Sequence, residues 1–165
     1  SWAELQNAQR LALRLPKTGM AVINDVGAAN DIHPRNKKAV GERLSRWALR
    51  GEYGQKDLVA SGPLYRGFKV EEGRIRITFD HAVGLTTSDG NKPARFEISG
   101  EDRIWRWAEV SLDGESAIVS NGDVPNPVAV RYAWASNPKG ANLVNAAGLP
   151  ASLFRTDSWK LSTER

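Results

Sequence analysis

The sequence predicts a protein of class α/β plus β. An α/β unit is expected over residues 1–57, followed by an antiparallel, jelly-roll-like β-sandwich over residues 58–165. In the first part, apolar residues recur at helical spacing on both sides of a short continuous apolar run, which is typical of a buried parallel strand between helices. In the second part, several short segments alternate between apolar and polar residues and are separated by turn residues. The length of 165 residues suits one domain of ordinary size or two small ones.

Two amphipathic helices are expected in the first part. The first covers residues 3–14 and ends before Pro16 and Gly19, which are both poor helix formers. The second covers residues 37–50 and ends near Gly51. Its apolar stripe, which should pack into the core, consists of Val40, Leu44, Trp47 and Ala48.

A continuous apolar run at residues 20–23 predicts a strand covered on both faces. A parallel strand needs hydrogen-bonded neighbours and covering helices, and residues 1–57 supply no second strand. Residues 58–165 do not show the alternation of strands and helices that would extend such a sheet. We therefore expect residues 1–57 to complete a sheet whose other strands lie outside this chain.

The second part predicts a sandwich core and a final coil. The pair Asp113-Gly114 between two alternating segments predicts a two-residue hairpin turn. The last 30 residues are punctuated by Asn, Gly and Pro and are expected to form an ordered coil. Period-two alternation predicts a shared core made of Ile75, Ile77, Phe79, Phe96, Val119 and Val130.

Composition excludes several functional classes. Residues 1–57 hold 10 Lys and Arg against 6 Asp and Glu, but these charges are scattered and form no basic stripe, so nucleic-acid binding is not expected. No run of apolar residues is long enough to span a bilayer, so no membrane partner is expected. The absence of cysteine excludes disulfides, Cys-ligated metals and a thiol nucleophile. The sequence predicts neither a metal nor an organic cofactor.

The stretch Asn30-Asp31-Ile32-His33-Pro34 carries the chemistry most worth considering. It places an acid and an imidazole two residues apart, after the predicted strand, at the sheet edge where open α/β folds hold their active sites. Histidine suits a general base near neutral pH, and a carboxylate can hold its ring in the productive tautomer. The alternative is structural: Asp31 caps a turn, and His33 is an ordinary loop residue.

Several segments of the chain occur together in one known family: 19–22, 30–34, 36–37, 40–44, 47–49, 53–54, 130–134, 142–143, Asn145, 148–151 and 154–157. In these segments the chain resembles the end of the catalytic domain of sialate O-acetylesterase-like enzymes, which are carbohydrate esterases of the SGNH-hydrolase type. The resemblance covers both ends of the chain and, more loosely, the β-rich middle.

The resemblance implies that residues 1–57 are the last strand–loop–helix unit of an SGNH-type α/β/α sheet. It also implies hydrolysis of acetyl esters on sugar hydroxyls by a serine nucleophile, with His33 as the base and Asp31 as the residue that orients it. In the superfamily the acid lies three residues before the histidine, a position held here by Asn30, so a backbone carbonyl could orient His33 instead of Asp31.

The family's serine lies in a Gly-Asp-Ser or Gly-Gln-Ser context near the start of the catalytic domain, and this chain has no such motif after a predicted strand. The expected partners are therefore an N-terminal catalytic segment that carries the serine, and an O-acetylated glycan substrate. The chain alone is expected to be inactive. The resemblance also implies a secreted or periplasmic setting, or a lysosome-like one in a eukaryote.

A non-catalytic carbohydrate-binding β-sandwich, or a structural subunit, is the alternative function. Six tryptophans motivate the carbohydrate-binding alternative because indole rings stack on sugars, although most buried tryptophans only fill a core. Trp105 and Trp107 are two residues apart and should share one face of a strand. His81 is expected to be a loop histidine without a role.

Overall fold

The computed structural model describes residues 2–164, in which antiparallel sheets predominate and two α-helices precede them. Helix α1 spans Trp2–Leu11 and continues as a 3-10 turn over Ala12–Arg14, and helix α2 spans Lys37–Gly51. The strands are β1 (Leu64–Glu71), β2 (Arg74–Asp80), β3 (Thr86–Thr87), β4 (Phe96–Ser99), β5 (Arg106–Trp107), β6 (Glu109–Asp113), β7 (Ser116–Ser120), β8 (Ala129–Tyr132), β9 (Leu143–Val144) and β10 (Phe154–Arg155). No helix within residues 2–164 combines the length and hydropathy needed to cross a bilayer.

The strands form two four-stranded sheets and one two-stranded sheet. The first sheet has the order β1-β2-β7-β6, the second β10-β8-β4-β5, and β3 pairs with β9. Their ladders are all antiparallel. The β6–β7 hairpin has a two-residue turn, but its residues are Gly114 and Glu115 rather than the predicted Asp113-Gly114, because Asp113 pairs with Ser116.

One apolar core draws side chains from both large sheets. Alternate residues of β2 and β7 point into it, as the period of two predicts. Phe154 of β10 is fully buried at its centre, with its ring 4.9 Å from that of Tyr65 and 5.8 Å from that of Phe79. The predicted shared core is confirmed for all six residues: Ile75, Ile77, Phe79, Phe96, Val119 and Val130.

The carboxyl-terminal coil prediction was wrong in two places. Strands β9 and β10 lie in this region and add to the sheets. Each is two residues long, which is too short for alternation to be visible in the sequence. Asn145 fixes the coil between them because its side-chain amide donates to the carbonyls of Ser61 and His81 at 2.9 and 3.0 Å.

The two predicted helices are confirmed, but the strand predicted at residues 20–23 does not form within the described chain. A strand requires a neighbouring strand to pair with, and residues 20–23 pair with none among residues 2–164. Their contacts come from side chains of α2 instead: the Trp47 indole N–H donates to the carbonyl of Met20 at 2.9 Å. Trp47 is therefore half-buried rather than enclosed in a core, and α2 has no fully buried residue.

A close backbone contact joins the segment before β1 to the carboxyl-terminal coil. A Cβ at Gly62 would lie 2.1 Å from the carbonyl oxygen of Pro150, and a backbone atom cannot swing aside. We expect Gly62→Ala to lower the free energy of unfolding by about 1–3 kcal/mol, as overpacking does. Gly41→Ala in α2 meets no atom within 4 Å and should raise it by up to about 1 kcal/mol. Urea denaturation measures both, and equal stability of Gly62→Ala and the parent chain would contradict the packing described.

Candidate active site

The loop between residues 20–23 and α2 is anchored to α2 at both ends. At its start, the Arg43 guanidinium makes a two-pronged ion pair with Asp25, with both N···O distances 2.6 Å. The same guanidinium donates to the carbonyl of Val22 at 2.6 Å. At its end, the Asn36 side chain caps α2 by accepting from the N–H of Ala39 at 3.1 Å. These contacts restrict where the intervening loop can place its side chains.

Asp31 and His33 meet in this loop through the backbone. Asp31 Oδ1 accepts a hydrogen bond from the main-chain N–H of His33 at 2.7 Å. The N–H of Asp31 in turn donates to the carbonyl of Ala28 at 3.4 Å, which closes the preceding turn. Both residues are exposed, and the His33 ring makes no hydrogen bond within residues 2–164. This hydrogen bond is the turn cap expected if Asp31 has a structural role. It also fixes the backbone that carries the His33 imidazole.

An apolar groove of about 550 Å³ lies beside the start of this loop, between α1, α2 and residues 18–24. Its walls include large apolar side chains that are substantially exposed, such as Trp2 and Leu44. The buried Oδ1 of Asn24 has no hydrogen-bond partner among the described residues, although the Nδ2 of the same side chain donates to the carbonyl of Ala151 at 3.0 Å. Buried polar atoms without partners are rare in folded proteins, so the Asn24 Oδ1 is the exception on this surface.

Only some of the backbone hydrogen-bonding groups of residues 20–23 have partners. The carbonyls of Met20 and Val22 accept from α2 side chains, and that of Ile23 accepts from the N–H of Val26. Within the described chain, the N–H groups of residues 20–23 have no partner. Gly19 allows the close approach to α2, because a Cβ there would lie 2.5 Å from the Trp47 ring. Residues 20–23 thus combine contacts to α2 with free hydrogen-bonding capacity.

Most tryptophan faces are already occupied by other groups. The Arg131 guanidinium lies over the rings of Trp105 and Trp134, 4.2 and 5.3 Å from their centroids. Trp159 packs against Trp105 with centroids 5.2 Å apart. The prediction that Trp105 lies within a strand was wrong, because β5 contains only Arg106 and Trp107. Among the tryptophans of the two large sheets and their loops, Trp107 is the one that is mostly exposed, at 61%.

The second histidine lies away from this loop. His81 has a φ of 58°, and its ring meets Trp47 edge-on at 6.5 Å. No group of three His, Cys, Asp or Glu residues within residues 2–164 is arranged to hold a metal ion. Sequence reasoning selected Asp31 and His33 as candidates but did not single out the ion pair of Arg43 with Asp25 that anchors their loop. Residues 18 positions apart give no local sign that they pair.

Comparison with known proteins identifies relatives for most of the chain. No protein-family model matches it. The sialate O-acetylesterase of Mus musculus is 34% identical over 136 residues, which are 76% of this chain and 25% of that protein. The Homo sapiens sialate O-acetylesterase is 34% identical over 139 residues, with the same two shares. This chain therefore spans about a quarter of the length of these relatives.

A solved structure matches nearly the whole fold. The crystal structure of a carbohydrate acetylesterase from Xanthomonas citri superposes with a TM-score of 0.92 and 42% sequence identity. The match covers 96% of this chain and 37% of that chain. The chain is thus a homologue of the sialate O-acetylesterases and of this bacterial carbohydrate acetylesterase, over the part of their length that it spans.

Proposed function

We propose that this chain is part of a carbohydrate O-acetylesterase that hydrolyses acetyl esters on sugar hydroxyls, with a nucleophilic serine outside the chain. The observation that carries the proposal is the loop with Asp31 and His33, anchored by α2, in a homologue of acetylesterases. A complete serine esterase needs a nucleophile, a base and an oxyanion site. This chain supplies the base.

In the proposed reaction, the serine oxygen attacks the acetyl carbonyl carbon while His33 accepts the serine proton. The tetrahedral intermediate collapses, the bond to the sugar oxygen breaks, and the histidinium returns the proton to that oxygen. Water then attacks the acetyl-serine, with His33 again taking a proton. Acetate leaves, and the proton passes to the serine oxygen. Donors that stabilise the oxyanion would lie with the serine, in the segment outside the chain.

Asp31 is the candidate residue for orienting His33. One of its carboxylate oxygens holds the main-chain N–H of His33, so the residue already restricts the backbone of the base. The second oxygen of an ionised carboxylate can accept a ring N–H and favour one tautomer. The competing arrangement is a backbone carbonyl that accepts this ring N–H while Asp31 serves the turn alone. Substitution of Asp31 separates the two arrangements.

The proposed partner is an N-terminal catalytic segment that provides the serine and the missing strands. In this arrangement, residues 1–57 form the last strand–loop–helix unit of an SGNH-type α/β/α sheet. Residues 20–23 would be the edge strand: α2 side chains take the carbonyls of Met20 and Val22, and the opposite edge pairs with the partner. The apolar groove and the unpartnered Oδ1 of Asn24 on this side support the arrangement.

The first test compares the 165-residue chain with the complete enzyme on a chromogenic acetyl ester. We expect no turnover above buffer from the pure chain, because it lacks the nucleophile. The complete enzyme should turn over the ester and release acetate from an O-acetylated glycan. Circular dichroism on the chain provides the folding control. Robust turnover by the pure, folded chain would contradict a serine outside it.

The proposed substrate class also suggests a compartment. O-acetylated glycans occur largely outside the cytosol, so we propose a secreted or periplasmic enzyme, or a lysosome-like location if the organism is eukaryotic. A carbohydrate-binding sandwich is the second candidate function. One specific observation favours it, namely the exposed ring of Trp107.

A further inference from the structure

A second open groove, of about 730 Å³, lies on the sandwich between the loop before β4 and the outer face of strands β6 and β7. Its size is within the range of small-molecule sites. We call it the Trp107 groove and define it by Lys92, Arg95, Trp107, Glu109, Ser111 and Ser120.

Trp107 offers this groove an aromatic surface. Strand β5, which carries it, is the edge of the second sheet. The Arg95 guanidinium lies 5.4 Å from the ring centroid, yet 61% of the residue stays exposed. Exposing a large apolar ring to water is unfavourable. The apolar core does not include Trp107, so packing does not require the ring at this position. Trp107 is therefore more accessible to a ligand than Trp105 and Trp134, which lie under Arg131 and are half-buried.

Arg95 is held in place at the rim by a strained backbone. Its φ is 66°, in the left-handed region that few residues other than glycine and asparagine adopt without cost. Its Nε donates to the carbonyl of Lys139 at 2.5 Å, and its own carbonyl accepts from the N–H of Ala133 at 2.9 Å. Backbone strain of this kind is common at ligand sites, where it holds a side chain in position before the ligand binds. Arg95 thus combines a fixed guanidinium with a position next to Trp107.

The groove is lined mainly by apolar side chains, among which hydrogen-bonding groups of several kinds are placed. Glu109 of β6 pairs with Ser120 of β7, and both side chains turn away from the core, as does that of Ser111. Lys92 and Arg95 add cationic donors, so the wall carries two cationic groups against the one carboxylate of Glu109. A mixture of donors and acceptors around one aromatic ring suits the hydroxyl groups and the apolar C–H face of a sugar.

We propose that the Trp107 groove binds a pyranosyl chain, with one sugar ring stacked on Trp107 and its hydroxyls hydrogen-bonded to Arg95, Glu109 and the neighbouring serines. The inference goes beyond the proposed esterase reaction, because binding requires no acetyl group and no serine nucleophile. Neutral and sialylated glycans share the pyranose ring, and binding assays with one glycan of each kind distinguish them.

The test measures binding of cellohexaose and of 6′-sialyllactose to the complete protein by isothermal titration calorimetry. We expect at least one of them to bind, and Trp107→Ala to raise its Kd about tenfold or more, since stacking and burial of one ring are together worth more than 1 kcal/mol. Trp107→Phe should keep part of the affinity. Tyr53→Ala, at another exposed aromatic residue, should leave the Kd unchanged.

Hydrolysis of a small chromogenic acetyl ester should be the same in the Trp107→Ala variant and the parent protein. This readout separates the groove from the esterase proposal, since loss of one property does not require loss of the other. Absence of binding by both glycans up to about 10 mM would overturn the inference. A Kd for Trp107→Ala within twofold of the parent value, in a protein with unchanged Tm, would overturn it too.

Discussion

Replacement of His33 by Ala in the complete enzyme should lower kcat by about 10³-fold or more while leaving the fold intact. Without the imidazole, no group accepts the serine proton during attack, and none returns it to the leaving sugar oxygen. The side chain is exposed and makes no hydrogen bond within residues 2–164, so its removal should cost little stability. Steady-state kinetics on a chromogenic acetyl ester measures the effect, and circular dichroism checks the fold.

The second histidine provides a matched control. His81→Asn retains a residue type that tolerates the φ of 58° at this position, and it should leave kcat within a few-fold of the parent value. Asp31→Asn should lower kcat about as much as His33→Ala if Asp31 alone orients the base, and clearly less if a backbone carbonyl does so. A folded His33→Ala enzyme with kcat within a few-fold of the parent would end the assignment of His33 as base.

Phe154→Ala should lower the free energy of unfolding by about 3–5 kcal/mol, the cost typical of removing a buried phenylalanine. Phe154 is fully buried, and its ring lies near those of Tyr65, Phe79, Phe96 and Tyr132. Truncation would leave a cavity bounded by these rings, which β-sheet backbone cannot readily close. Urea denaturation of the parent and variant chains measures the difference.

Phe68 of β1 serves as the comparison, because it is also a phenylalanine in a strand but is 42% exposed. Phe68→Ala should cost about 1 kcal/mol, as an ordinary partly exposed substitution does. If the two variants were equally stable, Phe154 would not be the centre of the core. The same result would question the short strand β10, whose pairing with β8 places Phe154 there.

The core shared by the two large sheets was predictable from sequence because several of its strands are long enough to show alternation. Ile75 and Ile77 stand two residues apart in a strand of seven residues, and one face of that strand is fully buried. Strands of two residues, such as β9, carry no period and are defined by partners distant in the chain. Their existence depends on tertiary pairing, which a local pattern does not contain.

The acid and the imidazole of the candidate site could be proposed from the sequence, but the ion pair that anchors their loop could not. Asp31 and His33 stand out as an acid and an imidazole in a short loop, whereas the ion pair of Arg43 with Asp25 depends on how α2 packs. The strand prediction at residues 20–23 failed for a different reason. Its apolar character was clear, but a strand forms only where a backbone partner is present, and residues 2–164 provide none there.

The most direct measurement is the distance between the His33 imidazole and the nearest serine oxygen in a crystal structure of the complete enzyme. We expect a serine from the N-terminal catalytic segment with its Oγ about 2.6–3.2 Å from a ring nitrogen of His33, and residues 20–23 paired with a strand of that segment. A structure in which no serine lies within reach of His33, or in which residues 20–23 face solvent, would contradict the proposed role of this chain.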